Sequence, residues 1–137
     1  MCQGQALDEG PETDTSMKIL IVEDELKTAD YLYKGLTEQG CTVDIAYNGI
    51  DGQHLALQHD YDVIVSDWKM PGLDGMNLYR VLLERKPEAA RRMLFMTGDV
   101  IKDSFQNFLK QNARTCLPKP FALREFHAAV AGIIQTG

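Results

Sequence analysis

Polar residues that could carry chemistry together follow four predicted strands. They are Glu23, Asp24, Asp67, Thr97 and Lys119. The carboxyl ends of parallel strands meet at one edge of a sheet, so these side chains are expected to converge there. Three adjacent carboxylates repel one another, and burying them unpaired is costly. A divalent cation would offset that repulsion, and an oxygen-only ligand set suits Mg²⁺, with Mn²⁺ as the alternative.

Asp67 is the predicted nucleophile of this group. It directly follows a short β-branched run at 63–66 that is typical of a buried parallel strand. Carboxylates can attack phosphoryl groups and form aspartyl phosphates. Fixed cations and donors must then meet the charge on the transferring oxygens. The metal, the Lys119 ammonium and the Thr97 hydroxyl are the groups predicted to do so.

Strands and helices alternate five times along the chain. The strands are predicted at 18–22, 41–47, 62–66, 92–96 and 115–118. Helical apolar stripes between and after them comprise Ala29, Leu32, Tyr33 and Leu36, then Leu78, Val81 and Leu82, then Ile101, Phe105, Phe108 and Leu109, then Leu123, Phe126, Val130 and Ile133. A less regular helix is predicted over 50–58, with Asn48 as its cap, and Pro87 is expected to close the third helix. Such alternation predicts an α/β fold with a parallel sheet covered by helices on both faces.

The strand-end residues lie in motifs that together resemble the receiver domain of two-component response regulators. The matching pieces are the runs 19–25 and 63–67, the loop 70–75, Thr97-Gly98 and Lys119-Pro120-Phe121. Each piece alone is a weak signal, but all of them in this order are specific. The resemblance covers about residues 17 to 135.

This resemblance implies a flavodoxin-like sheet of strand order 2-1-3-4-5 with five helices. It implies that Asp67 takes a phosphoryl group from a sensor histidine kinase or a His-phosphotransfer protein. Asp24 would bind Mg²⁺ directly, Glu23 through water, and Lys69 through its backbone carbonyl. The Lys119–Pro120 bond would be cis, and the region from Thr97 to Cys116 would switch between two conformations. A homodimer formed on phosphorylation is a further expectation.

One departure from the family pattern concerns Cys116. The family usually has Tyr or Phe three residues before the lysine, where it acts as a rotamer switch, and Cys116 stands there in this chain. The aromatic switch is therefore not carried over to this sequence.

Two other functional classes fit the sequence less well. A phosphatase with an aspartate nucleophile would want a second Asp two residues later, and Lys69 stands at that position. A flavin or nucleotide binder would want a loop of small residues after the first strand, but acids occupy 23–25. The favoured prediction is therefore a signalling domain that is switched by phosphorylation, not an enzyme that acts on an outside substrate.

The charge and the cysteine content of the chain indicate in which cell compartment it works and which partners it binds. The chain has 137 residues, 14 Lys and Arg against 20 Asp and Glu, and a net charge of −6, with no basic stripe for nucleic acid. Its three cysteines are not closely spaced, and neither a signal peptide nor a membrane span is evident. These features predict a cytoplasmic protein. The acidic residues 1–16 are predicted to be a disordered leader or an extension introduced by cloning, and residues 17–137 the receiver domain.

Overall fold

A computed structural model of the protein describes residues 17–98 and 103–136, where strands and helices alternate. The strands are β1 (Lys18–Val22), β2 (Thr42–Ala46), β3 (Val63–Asp67), β4 (Met93–Thr97) and β5 (Thr115–Pro118). The helices are α1 (Leu26–Glu38), α2 (Gly49–Gln58), α3 (Gly75–Arg85), α4 (Pro87–Ala90), α5 (Asp103–Gln111) and α6 (Leu123–Thr136). The predicted leader at 1–16, Ile101 of the predicted fourth apolar stripe and residue 137 lie outside the described residues.

The five strands form one parallel sheet in the order β2-β1-β3-β4-β5, which confirms the predicted fold, although the described residues form six helices rather than the five expected. β3 and β4 are buried along their whole length, because helices cover both faces of the sheet. The register pairs Val22 with Ser66, Asp67 with Met96, and Thr97 with Pro118. The strand ends that carry the polar residues therefore lie at the same edge.

Alternate residues of the strands belong to two separate apolar layers, one on each face of the sheet. On one face, Ile19 and Ile21 of β1 belong to a layer with buried residues of α1 and α6. On the other face, Leu20 and Val22 belong to a layer with buried residues of α2, α3 and α5. This two-residue period is what a strand buried on both faces requires.

The helix ends follow local sequence signals. Asn48 caps α2 as predicted, because its side-chain oxygen accepts a hydrogen bond of 2.8 Å from the Asp51 amide. Asp74 caps α3 in the same way through the Asn77 amide at 2.9 Å. These caps set the residues at which α2 and α3 begin, after the chain leaves β2 and β3.

Two details differ from the sequence predictions. Tyr33 was expected to face inward, but it is 39% exposed, because the inward stripe of α1 consists of Ala29, Leu32, Gly35 and Leu36. Pro87 does follow the third helix, but it also begins the short helix α4, where its missing amide costs nothing. Among the described residues, no helix is both long enough and apolar enough to cross a membrane.

Candidate functional site

The carboxyl edge of the sheet gathers three acidic side chains. Glu23 and Asp24 follow β1 and Asp67 ends β3, and one ligand oxygen from each lies within 4.8 Å of the others. Glu23 is fully buried and Asp67 is 8% exposed, whereas Asp24 faces solvent. The cluster is therefore walled by protein on one side and open on the other.

The donor set of this cluster fits a hard divalent cation. All three side chains offer carboxylate oxygens, with no thiolate or imidazole among them. Mg²⁺ keeps several water ligands and is usually bound by one or a few carboxylates, which suits a cluster with an open side. The backbone carbonyl of Lys69, two residues after Asp67, stays a predicted ligand.

Lys119 reaches the same cluster from the end of β5, the strand at one edge of the sheet. Its Nζ lies 2.7 Å from Glu23 Oε1 and 3.3 Å from Asp67 Oδ1. Its backbone amide donates to the Thr97 carbonyl at 2.7 Å, and the Lys119–Pro120 peptide bond is cis. The ammonium is therefore held over two of the three carboxylates.

Burial and neighbouring charges shift the pKa values of these groups. Burial raises the pKa of Glu23, and the negative charge of Asp67 adds to that, against the hydrogen bond from Lys119. Burial also raises the pKa of Asp67, with Asp24 contributing, while Lys119 opposes the shift. Burial alone would lower the pKa of Lys119, but the hydrogen bond to Glu23 and the charge of Asp67 outweigh it and raise the pKa.

Thr97 is buried at the end of β4, and a groove opens beside it. The groove has a volume of about 490 Å³, and Trp68, Lys69, Phe105 and Phe108 are among the residues that line it. Phe105 belongs to a predicted apolar stripe of a helix and is buried, as expected. Its ring and the ring of Trp68 both line the groove beside Thr97.

Sequence reasoning missed two contacts inside the cluster. The direct pairing of Lys119 with Glu23 was not predicted, since Lys119 was expected to face a phosphoryl group. The backbone amide of Glu25 also donates to Glu23 Oε2 at 3.1 Å. The run of three acids after β1 was the signal that one of them would be turned inward.

Comparison with known proteins decides the family. The family model described as the response regulator receiver domain matches residues 19–131. The chain belongs to this receiver domain family. Receiver domains are the phosphoacceptor signalling domains of two-component systems rather than substrate-converting enzymes, and they bind Mg²⁺ at an acidic pocket.

Two curated relatives are transcriptional regulators of enteric bacteria. The transcriptional regulatory protein CusR of Escherichia coli K12 is 41% identical over 121 residues, which cover 88% of this chain and 52% of CusR. The probable transcriptional regulatory protein SilR of Salmonella typhimurium is 40% identical over 121 residues, with the same coverage. The chain thus spans about half the length of these relatives.

Solved structures of receiver domains share the fold. A receiver domain protein from Clostridium thermocellum is 26% identical, with a TM-score of 0.79 over 88% of this chain and 95% of that chain. The receiver domain of the sensor histidine kinase PA1611 from Pseudomonas aeruginosa PAO1 is 26% identical, with a TM-score of 0.77 over 88% and 99% of the two chains. That protein was solved with a magnesium ion coordinated in its active site cleft.

Proposed function

We propose that Asp67 is the phosphoacceptor of this receiver domain and that the donor is a phosphohistidine on a sensor histidine kinase or a His-phosphotransfer protein. The observation that carries this proposal is the position of Asp67. It ends a central strand at the open edge of the sheet, 3.3 Å from the Lys119 ammonium and beside two further carboxylates.

The transfer is a displacement at phosphorus. A carboxylate oxygen of Asp67 forms a bond to phosphorus while the bond from phosphorus to the donor imidazole nitrogen breaks. The imidazole leaves with the electron pair of that bond and takes up a proton, and Asp67 becomes an acyl phosphate. Hydrolysis of this acyl phosphate by water returns Asp67 to its starting state.

Lys119 and Thr97 are assigned to the phosphoryl oxygens. The Lys119 ammonium already lies against Asp67, so a phosphoryl group there would replace a carboxylate contact with a contact to a more highly charged group. Thr97 ends the neighbouring strand β4 and offers a hydroxyl donor. Both residues would stabilise the charge that collects on the transferring oxygens.

Glu23, Asp24 and Asp67 would hold Mg²⁺, with the Lys69 carbonyl as a further ligand and Mn²⁺ as a substitute. When bound, the ion would supply positive charge to the carboxylates and the phosphoryl oxygens. The oxygen-only composition and close spacing of the three side chains support this assignment.

At the level of the whole protein, we propose a receiver domain over residues 17–137 of a cytoplasmic regulator. Phosphorylation would change the conformation of the face between Thr97 and Cys116. Two phosphorylated copies would then form a homodimer. The relatives named above are transcriptional regulators of about twice the length, so a transcriptional output is the favoured one. This domain itself lacks a basic stripe, and direct contact with nucleic acid is not proposed for it.

The test is phosphoryl labelling of the full chain by acetyl phosphate, and by a panel of autophosphorylated sensor kinases, with and without Mg²⁺. Intact mass should show the gain of one phosphoryl group that requires Mg²⁺ and is released by hydroxylamine, as an acyl phosphate is. Asp67→Asn should abolish the labelling. Asp30→Asn is the matched control, because Asp30 is an exposed acid of α1 that pairs with Lys34.

Labelling of Asp67→Asn at the wild-type level would place the phosphoryl group elsewhere and would remove the proposal. Sustained release of phosphate from a small phosphomonoester would instead favour the phosphatase alternative. Labelling by one kinase of the panel far faster than by the others would name the cognate partner.

A further inference from the structure

The residue after the proposed phosphoacceptor, Trp68, is half-buried and packs in an aromatic cluster. The Trp68 amide donates to the Met96 carbonyl on β4 at 2.7 Å, which fixes the backbone directly after Asp67. The Trp68 ring stacks on Phe105 of α5, with 3.6 Å between the ring centroids and 22° between the planes. One peptide bond and one ring contact therefore join Asp67 to helix α5.

Other aromatic rings surround this pair in the same apolar layer. Trp68 also meets Phe95 of β4 edge-on at 5.3 Å and Phe108 of α5 at 5.4 Å between centroids. Phe108 in turn packs edge-on against Tyr79 of α3. Phe105 is buried, and of the α5 rings it alone lies nearly parallel to Trp68.

The side chain at position 116 packs against this apolar layer but does not line the groove. Cys116 pairs in register with Phe95, and its small side chain is half-buried. Burial raises the pKa of the Cys116 thiol to about 12, so the thiol behaves as a neutral packing group. The 490 Å³ groove beside Thr97 is bounded by Trp68, Phe105 and Phe108 instead.

We propose that the Trp68–Phe105 stack transmits phosphorylation of Asp67 to helix α5, with Trp68 and Phe105 as positioning residues. This inference rests on the proposed function of Asp67 as phosphoacceptor. Phosphorylation of Asp67 and a movement of Thr97 would change the shape of the groove that Thr97, Trp68 and Phe105 line. Face-to-face rings keep their contact only if they move together, so α5 follows Trp68. No side chain at position 116 is needed for this route.

The test measures the response of α5 to beryllofluoride with Mg²⁺, a stable mimic of the acyl phosphate. Hydrogen exchange of the peptide over residues 103–111 is followed in the full chain with and without the mimic. Phe105→Leu removes the stack, and Phe105→Tyr retains a ring and should rescue it. Phe108→Leu is the matched control, because it removes an equal-sized ring from the same helix but leaves the stack intact.

The wild type, Phe105→Tyr and Phe108→Leu should show a change in α5 exchange on addition of the mimic. In Phe105→Leu that change should be about two- to tenfold smaller, the effect expected from one aromatic pair. Labelling of Asp67 by acetyl phosphate should stay within about twofold of wild type in each variant, because neither Phe105 nor Phe108 belongs to the acidic cluster. An undiminished α5 response in Phe105→Leu would overturn the inference.

A second measurement needs no variant. Trp68 is the single tryptophan, so the emission of the wild-type chain reports the stack. Emission and α5 exchange should change over the same beryllofluoride concentrations, and a change in α5 without one in emission would overturn the inference. If the wild type were neither labelled by acetyl phosphate nor altered by the mimic, the proposed function of Asp67 would fail instead.

Discussion

The Lys119 ammonium lies 2.7 Å from Glu23 Oε1, a carboxylate whose residue has 0% exposed surface. The two residues are 96 positions apart in the chain, and the sheet brings them together because both follow the carboxyl ends of parallel strands. A buried carboxylate is costly unless it is paired, so this contact supports both the fold and the site. Lys119 is thus engaged by the protein before any phosphoryl group arrives.

Replacing Lys119 by methionine should lower stability in the absence of metal. The variant leaves the buried Glu23 carboxylate without its cation, so we expect the free energy of unfolding to fall by roughly 1–3 kcal/mol. Urea unfolding at neutral pH in the presence of a chelator measures this loss. Labelling of Asp67 should also fall, because the phosphoryl oxygens lose a cation.

Lys34→Met is the control for this prediction. Lys34 pairs with Asp30 at 3.1 Å, but the two side chains are 69% and 61% exposed. Loss of such an exposed pair should cost less than about 0.5 kcal/mol. If both variants lost the same amount of stability, the contact between Lys119 and Glu23 would not be a stabilising one.

Asp24→Asn should make the metal-free protein more stable. The charge of Asp24 repels Asp67, which is part of why the pKa of Asp67 is raised, after burial. Removal of one exposed charge should increase the free energy of unfolding by about 0.2–1 kcal/mol. Thermal unfolding in a chelator measures the change.

The same variant should respond less to Mg²⁺. A ligand at about 100 times its Kd stabilises the folded state by about 2.7 kcal/mol, so Mg²⁺ should raise the Tm of the wild type. Asp24→Asn should lose most of that increase, whereas Asp30→Asn, outside the cluster, should retain it. An equal increase in all three proteins would mean that Mg²⁺ is bound elsewhere.

The fold and the site edge could be predicted because they depend on periodicity and chain order. The buried strands at β1, β3 and β4 and the polar residues after them are local signals, and parallel pairing then brings Asp67 and Lys119 to one edge. The pairing of Lys119 with Glu23 could not be predicted, since side-chain partners depend on packing across the sheet. The same is true of the Trp68–Phe105 stack and of the exposed position of Tyr33.

The hydrogen bond between Tyr61 and Asp44 should make stability fall at high pH. Tyr61 is buried, and its hydroxyl donates to Asp44 Oδ2 at 2.7 Å. Burial, this hydrogen bond and the charge of Asp44 raise the pKa of Tyr61. An unfolded tyrosine loses its proton near pH 10, so above about pH 10 the unfolded state is favoured by up to about 1.4 kcal/mol per pH unit.

Tyr61→Phe removes this group and isolates its contribution. The variant should be less stable than wild type by about 1 kcal/mol at neutral pH, because the Asp44 carboxylate loses its donor. Between about pH 9 and about pH 11 its unfolding free energy should fall less steeply than that of the wild type. Parallel slopes in urea unfolding over this range would show that Tyr61 is not held protonated by the fold.

Gly75→Ala should disturb the backbone behind Asp67. Gly75 begins α3, and a Cβ there would lie 2.6 Å from the Asp67 carbonyl oxygen and 3.2 Å from the Trp68 Cα. Both are backbone atoms that cannot rotate away, so the strand end has to shift. We expect a loss of about 1–3 kcal/mol in urea unfolding, and weaker Mg²⁺-dependent labelling of Asp67.

Gly132→Ala is the control for this prediction, because we expect it to raise stability where Gly75→Ala lowers it. Gly132 lies inside α6, and a Cβ there would meet nothing within 4 Å. Alanine is the better helix former, so this variant should gain about 0.5–1 kcal/mol and keep wild-type labelling. If Gly75→Ala were as stable and as readily labelled as Gly132→Ala, the close approach of Gly75 to Asp67 would not be what positions the phosphoacceptor.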